Sequence, residues 1–151
     1  MTETKRSHVC RVPVVGLACV CVLLSVGCTT PAAESGAACR RIDGKRVLQA
    51  ELFFGRDIAG HDRVSDAQWS DFLREVVTPR FPDGLTVVTA VGQWRDLQSG
   101  QTTREPSFIV RILASDTGKT LVSLAEVRVA YEQRFQQQSV GLTLAPTCSS
   151  F

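Results

Sequence analysis

Alternating apolar and polar positions set the plan of this chain. From Val47 to Phe54, Leu48, Ala50, Leu52 and Phe54 fall on one side, and Val47, Gln49, Glu51 and Phe53 on the other. That period of two predicts a strand with one buried face. Gly55 stops it, and Arg56–Arg63 (RDIAGHDR) reads as a polar loop. The period then becomes helical: Trp69, Phe72, Leu73, Val76 and Val77 make one apolar stripe. Ser65 and Gln68 form a capping box, with Val64 and Trp69 at the two staple positions, and Trp69 is therefore assigned to the core. Pro79 ends the helix, because the residue before a proline avoids helical geometry. Arg80–Gly84 (RFPDG) turns the chain into a β-branched second strand, Leu85–Trp94.

The rest repeats the plan. Asp96–Pro106 reads as a polar hairpin-type connection, and Phe108–Leu113 as a third strand, with Phe108, Val110 and Ile112 opposite Ile109, Arg111 and Leu113. A second capping box, Ser123 with Glu126, is stapled by Val122 and Val127, although Asp116 offers an earlier cap. Leu124, Val127, Tyr131 and Phe135 give the second helix its stripe. Val140, Leu142 and Leu144 alternate with Gly141 and Thr143 in a last strand closed by Pro146. The order β-α-β-β-α-β predicts a ferredoxin-like α+β domain: an antiparallel four-stranded sheet, order 4-1-3-2, with both helices on one face. In that order the start of the first strand and the end of the last lie at the same end of the sheet.

The beginning of the chain has a different character. Lys5, Arg6 and Arg11 precede the 13-residue apolar run Val12–Leu24, which is short for a bilayer span and right for a signal-peptide core. Leu24-Ser25-Val26-Gly27-Cys28 resembles a bacterial lipobox, with cleavage before Cys28 and a palmitate-type lipid on its thiol. Ser25 departs from the Leu, Val or Ile usual there, and a short membrane anchor with an incidental cysteine is the rival reading. The expected organisation is a signal peptide over 1–27, a flexible tether over 28–38 and one domain over 39–151. Thr29–Ala38 (TTPAAESGAA) is small, polar and aperiodic, with a flexible reach of roughly 17 Å. Thr29 rather than Asp after the lipid cysteine points to the outer membrane facing the periplasm, in a host that has one.

Removal of 1–27 takes three of the 17 basic residues and one of the 15 acidic ones, leaving 14 of each. A neutral domain with scattered Lys and Arg lacks the clustered basic surface that nucleic acid requires. Cysteines Cys39 and Cys148 remain, one at each end of the domain, and in an exported protein such a pair most often bridges. Two free thiols or a metal site are the alternatives; His61 is the only other soft ligand, with no close Cys/His spacing. The predicted topology brings both cysteines to the same end of the sheet.

The segments ELFFGRDIAG, VSDAQWSDFLREVVTPRFPDGLTVV, GQWRD and YEQRFQQQSV, within Ala50 to Val140, resemble a family of small bacterial lipoproteins classed as a domain of unknown function. The resemblance implies an exported, lipid-bearing protein and brings no catalytic residues. Candidate sites come from the residues themselves. The sheet face without helices shows Gln49, Glu51, Phe53, Ile109, Arg111, Leu113 and Thr143, a mixture suited to an interface or a small pocket. Glu51 and Arg111 fall on adjacent strands, as an ion pair or as a base with its orienting cation. His61 is the one proton shuttle near neutral pH, beside Asp62 in a polar loop. Arg56 and Arg80 could converge on an anion, or serve in surface ion pairs. Trp94, between Gln93 and Arg95, fits a recognition platform or half-buried edge packing. No phosphate-binding glycine loop, nucleophile elbow or metal-binding helix motif is present, and no cofactor, metal or catalytic residue is assigned. The expectation is a lipid-anchored, non-catalytic envelope module that binds a protein partner, a second copy or a small ligand on its open sheet face. The alternative is a monooxygenase or isomerase of the dimeric α/β-barrel type, by analogy of fold.

Overall fold

A computed structural model of the chain describes residues 31–58 and 63–151. The segment expected to be a signal peptide, Cys28 and His61 lie outside the described residues. The elements are α1 (Pro31–Arg41), β1 (Lys45–Gly55), α2 (Asp66–Phe72) running into a π-helical turn (Leu73–Val77), β2 (Thr86–Arg95), β3 (Thr102–Ala114), α3 (Gly118–Phe135) and β4 (Gly141–Ser149). The strands stand in the order β2-β3-β1-β4, which from the opposite edge reads 4-1-3-2, and each neighbouring pair is antiparallel.

One side of this sheet is apolar and covered. Ala50, Leu52 and Phe54 of β1 and Phe108, Val110 and Ile112 of β3 pack with Trp69, Phe72 and Val77 from α2 and its π turn and with Leu124, Val127, Tyr131 and Phe135 from α3. Both helices therefore lie on the same face. Aromatic rings fill the centre: Phe54 meets Trp69 at 5.1 Å and Tyr131 at 4.7 Å edge-on, and Trp69 stacks on Phe108 at 4.4 Å. Leu52 and Phe54 are wholly buried, each such side chain being worth about 1.5–3 kcal/mol relative to exposure.

Local chemistry explains where the elements begin and end. Ser65 accepts from the Gln68 amide at 3.2 Å, and the Gln68 side chain accepts from the Ser65 amide at 2.9 Å, completing the capping box. The helix then widens, with the Thr78 amide reaching back to the Leu73 carbonyl at 2.9 Å. Buried Trp69, Phe72 and Val77 are spaced by three and then five residues, and the wider turn keeps Val77 in line with the core. The second long helix starts not at Ser123 but after Thr117, whose hydroxyl accepts from the Thr120 amide at 3.2 Å. Thr120, itself buried, donates to the Ser115 carbonyl at 2.7 Å and fixes this earlier cap.

Two prolines expected to bound strands lie inside them. Pro106 pairs with Val91 on β2, and its carbonyl accepts from the Arg56 amide at 3.1 Å, just past the last β1–β3 pair, Gly55 with Ser107. Its missing N–H thus faces the side where β1 has ended, which is locally a sheet edge. Pro146 is accommodated because β4 is an edge strand, so β4 runs on to Ser149. The segment expected to be a flexible tether is helical from Pro31. Pro suits a first helical turn, Ala32, Ala33, Ala37 and Ala38 favour helix, and Arg40 and Arg41 complement the negative end of the dipole. Cys39 of α1 is bonded to Cys148 of β4, with Cα atoms 5.2 Å apart, and so fastens this helix to the end of the sheet.

Candidate functional site

The uncovered sheet face carries three kinds of chemistry in successive rows. At the middle, Glu51 faces Arg111 across the β1–β3 ladder, and the Arg111 guanidinium grips Glu51 Oε1 at 2.7 and 2.8 Å. This is the ion-pair reading, and it occupies both groups. The next row is apolar: Phe53, Ile109 and Val88 stand side by side on β1, β3 and β2. Beyond them, where β1 and β2 finish and β3 and β4 begin, the surface sinks into a cleft of about 510 Å³.

Sequence makes this hollow. Gly55 of β1, Gly92 of β2 and Gly141 of β4 all line it and all carry no side chain, so bulk is lost at successive same-face levels across the sheet. At Gly55 the missing methyl is required, since a Cβ there would lie 2.5 Å from Glu105 Oε1. Glu105 therefore lies across the β1 backbone. Its Oε2 accepts from the Asp57 amide at 3.0 Å, and no ion pair to it is present among the described residues. Burial raises the Glu105 carboxyl above the ordinary glutamate value, with the charge of Asp57 adding to it, while the amides of Asp57 and Arg56 oppose the rise. Phe53 and Trp94 line the same cleft and are 36% and 37% exposed.

The rim is tied down. Gln137 donates to the Asp57 carbonyl at 2.9 Å, and Gln138 donates to Asp96 Oδ2 at 2.6 Å and accepts from the Leu97 amide at 3.2 Å. The turn after α3 is thereby laced to the loop after β1 and to the β2–β3 hairpin. Asp96 also receives the Ser99 amide at 2.6 Å and the Ser99 hydroxyl at 2.7 Å; with the Ser99 amide contributing most, these bonds hold its carboxyl down at about 2. Underneath, the Tyr131 hydroxyl donates to the Gly55 carbonyl at 2.7 Å, and burial raises that phenol well above its ordinary value.

A second hollow, of about 560 Å³, lies at the opposite end beside Lys45, Asp83, Arg111 and Phe151. Its charged residues are exposed and of both signs, and Arg111 is engaged with Glu51. The Glu105 cleft, with a half-buried ionisable group that has no ion-pair partner among the described residues, is the better candidate.

The sequence candidates divide accordingly. Trp94 lines the cleft, as a platform needs to. Arg56 and Arg80 do not meet on a ligand, and neither lines the cleft. Arg56 donates to the Val64 carbonyl at 2.9 and 2.6 Å and to Asp66 at 2.8 Å, closing the loop after β1, and stacks over Phe108. Arg80 bridges α2 and α3 through Glu126 at 2.9 Å while donating to the Val76 carbonyl. Both serve packing because their five-donor forks find backbone carbonyls and carboxylates close by. Glu105 escaped sequence reading because it falls in the stretch taken as a connection. The signal was present: Thr103, Glu105 and Ser107 continue the open-face alternation of Ile109 and Arg111, interrupted only by Pro106. Among the described residues, no group of three His, Cys, Asp or Glu side chains is placed to hold a metal.

Fold and cleft together define a small α+β domain with one armoured sheet face and one open face bearing a polar hollow. The chain belongs to the family described as "Protein of unknown function (DUF3574)", whose profile matches residues 49–151. No curated protein matches it. Among solved structures it is similar to a phage SAM lyase in complex with S-methyl-5'-thioadenosine, at a TM-score of 0.53 and 14% identity, covering 70% of this chain and 90% of that one. The apo form of a phage SAM lyase aligns with a TM-score of 0.52 and 15% identity, over 71% and 86% of the two chains. At such identity the likeness is one of fold.

Proposed function

We propose that this is a ferredoxin-like, small-molecule-binding domain of the bacterial cell envelope, held there by lipid on Cys28, with the cleft around Glu105 as its site. The observation that carries the reading is a half-buried carboxylate lining a cleft of about 510 Å³, whose walls also include two part-exposed aromatic residues. A carboxylate sheltered from water without a cation beside it is costly to ionise, and such groups concentrate at sites that act on something. The lipobox-like LSVGC sequence and the helix leading into Cys39 supply the tether.

An enzymatic variant of the same reading is favoured by the raised proton affinity of Glu105, which suits a general acid or base. The phage lyase of similar fold is an enzyme whose complex holds a small nucleoside, and that analogy supports a small-molecule substrate here. A second copy over the open face, as in dimeric α/β barrels, is the form in which this variant has a closed cavity.

The site is tested by ligand-observed NMR with a fragment library on the detergent-extracted full protein and on Thr103→Trp, whose new ring fills the mouth from an exposed position. Fragments bound by the native protein and lost in the variant support the cleft. If none distinguishes the two proteins, the reading falls. Intact mass of the extracted protein tests the anchor: a chain still beginning at Met1 without added lipid removes it.

A further inference from the structure

The charge around the cleft has one sign. Asp57, Asp96 and Glu105 line it, and no Lys, Arg or His does among the described residues. These carboxylates are not equivalent. Asp96 is saturated by Ser99, Gln98 and Gln138, and Asp57 has Arg63 at 3.6 Å, so both contribute field more than contact. Glu105 has one amide on Oε2 and keeps acceptor capacity toward the hollow. Gly92 is opposite Glu105 in the β2–β3 register, and Trp94 stands one same-face position further along β2 on the wall of the same cleft. Phe53 closes the β1 side.

An aromatic face attracts a cation through its quadrupole, and most strongly where water is partly excluded. A carboxylate in the same cleft adds full charge. An anion would meet three like charges, and a neutral ligand would leave the Glu105 charge uncompensated in a half-dry site. A bare metal ion would find one carboxylate with free acceptors and two rings it has little use for. A cation with apolar substituents satisfies all the walls at once.

Resting on the reading of this cleft as the binding site, we infer that its ligand is a small organic cation of the alkylammonium type, its charge against Glu105 and its alkyl groups against Trp94 and Phe53. Glu105 and Trp94 are then binding residues, and Gly55 holds the carboxylate in position from below.

The experiment titrates the full-length, detergent-extracted protein with choline and, separately, with 3,3-dimethylbutan-1-ol, its uncharged isostere. Binding is read by saturation-transfer NMR and by tryptophan fluorescence, with Trp94→Phe identifying which indole responds. Choline is expected to bind at least about tenfold more tightly than the alcohol, and Glu105→Gln to erase about tenfold of that preference. Gly55→Ala, which displaces the carboxylate without removing it, should weaken choline in the same direction, with each variant's fold checked by its thermal midpoint. Equal binding of the alcohol and choline, unaffected by Glu105→Gln, overturns the cation inference and leaves the cleft standing as a site. Absence of binding by both probes up to tens of millimolar overturns the inference, and the fragment comparison with Thr103→Trp then decides separately whether the cleft is a site at all.

Discussion

Glu105 Oε1 lies where a side chain on Gly55 would begin: a Cβ at that glycine would sit 2.5 Å from it. The two residues are on adjacent strands, Gly55 opposite Ser107 and Glu105 one same-face position further along β3. The glycine therefore decides where the carboxylate rests. Because the opposing atom is the end of a flexible side chain, Gly55→Ala should move Glu105 rather than break the sheet. Its stability should change by less than about 1 kcal/mol, while the Glu105 carboxyl titrates closer to an ordinary glutamate. Urea unfolding checks the first half of the expectation and carbon-detected NMR titration of that carboxyl the second.

Glu105 and Asp96 should drive stability in opposite directions with pH. A carboxyl raised in the fold binds its proton more tightly folded than unfolded, so its contribution is fully present below the ordinary value of 4.5 and is lost as pH rises through the raised one. Glu105→Gln should remove that loss and flatten the thermal midpoint between pH 4.5 and 7. A profile as steep as that of the native protein would contradict it.

Asp96 is held at about 2 against an ordinary 3.8, so its contribution is present above 3.8 and lost as pH falls toward 2. Asp96→Asn should lower the midpoint at neutral pH and make the acid limb between 3.8 and 2 shallower. Denaturation curves at pH 2, 3, 4 and 7 measure the difference.

Tyr131 reaches through the core to the Gly55 carbonyl, directly beneath the cleft. Tyr131→Phe keeps the ring contacts with Phe54 and Phe72 and removes only that bond. It should cost about 1–2 kcal/mol in urea unfolding. A neutral result would mean that water takes the hydroxyl's place.

The bond between Cys39 and Cys148 spans a separation of 109 residues. Its loss, by reduction or as Cys39→Ser with Cys148→Ser, should destabilise the domain by about 2–5 kcal/mol. Unfolding with and without reductant measures this, and the double variant should be indifferent to reductant.

How much of this was legible in the residues depended on how local the cause was. The Ser65–Gln68 cap, the apolar stripes and the face assignment of Glu51, Phe53 and Arg111 rest on near neighbours and periodicity, and the structure places them accordingly. Pro106 and Pro146 misled, because a proline's cost depends on whether its strand has a neighbour at that level, which only the assembled sheet decides. The start of α3 turned on Thr120 being buried and bonded to Ser115, a tertiary circumstance. The cleft needed glycines from three strands to fall on the open face at successive levels near one end of the sheet, a coincidence of register invisible along the chain.

The sulfur cross-link stands at the foot of β1, opposite Arg46, whereas Glu105 stands beside its tip at Gly55. The nine residue steps from Arg46 to Gly55 separate them by roughly 30 Å. The polypeptide of α1 is thus fastened at one end of the sheet while the cleft beside Trp94 opens at the other, so in the proposed lipid-anchored form the covalent clamp and the binding site work at opposite ends of the domain.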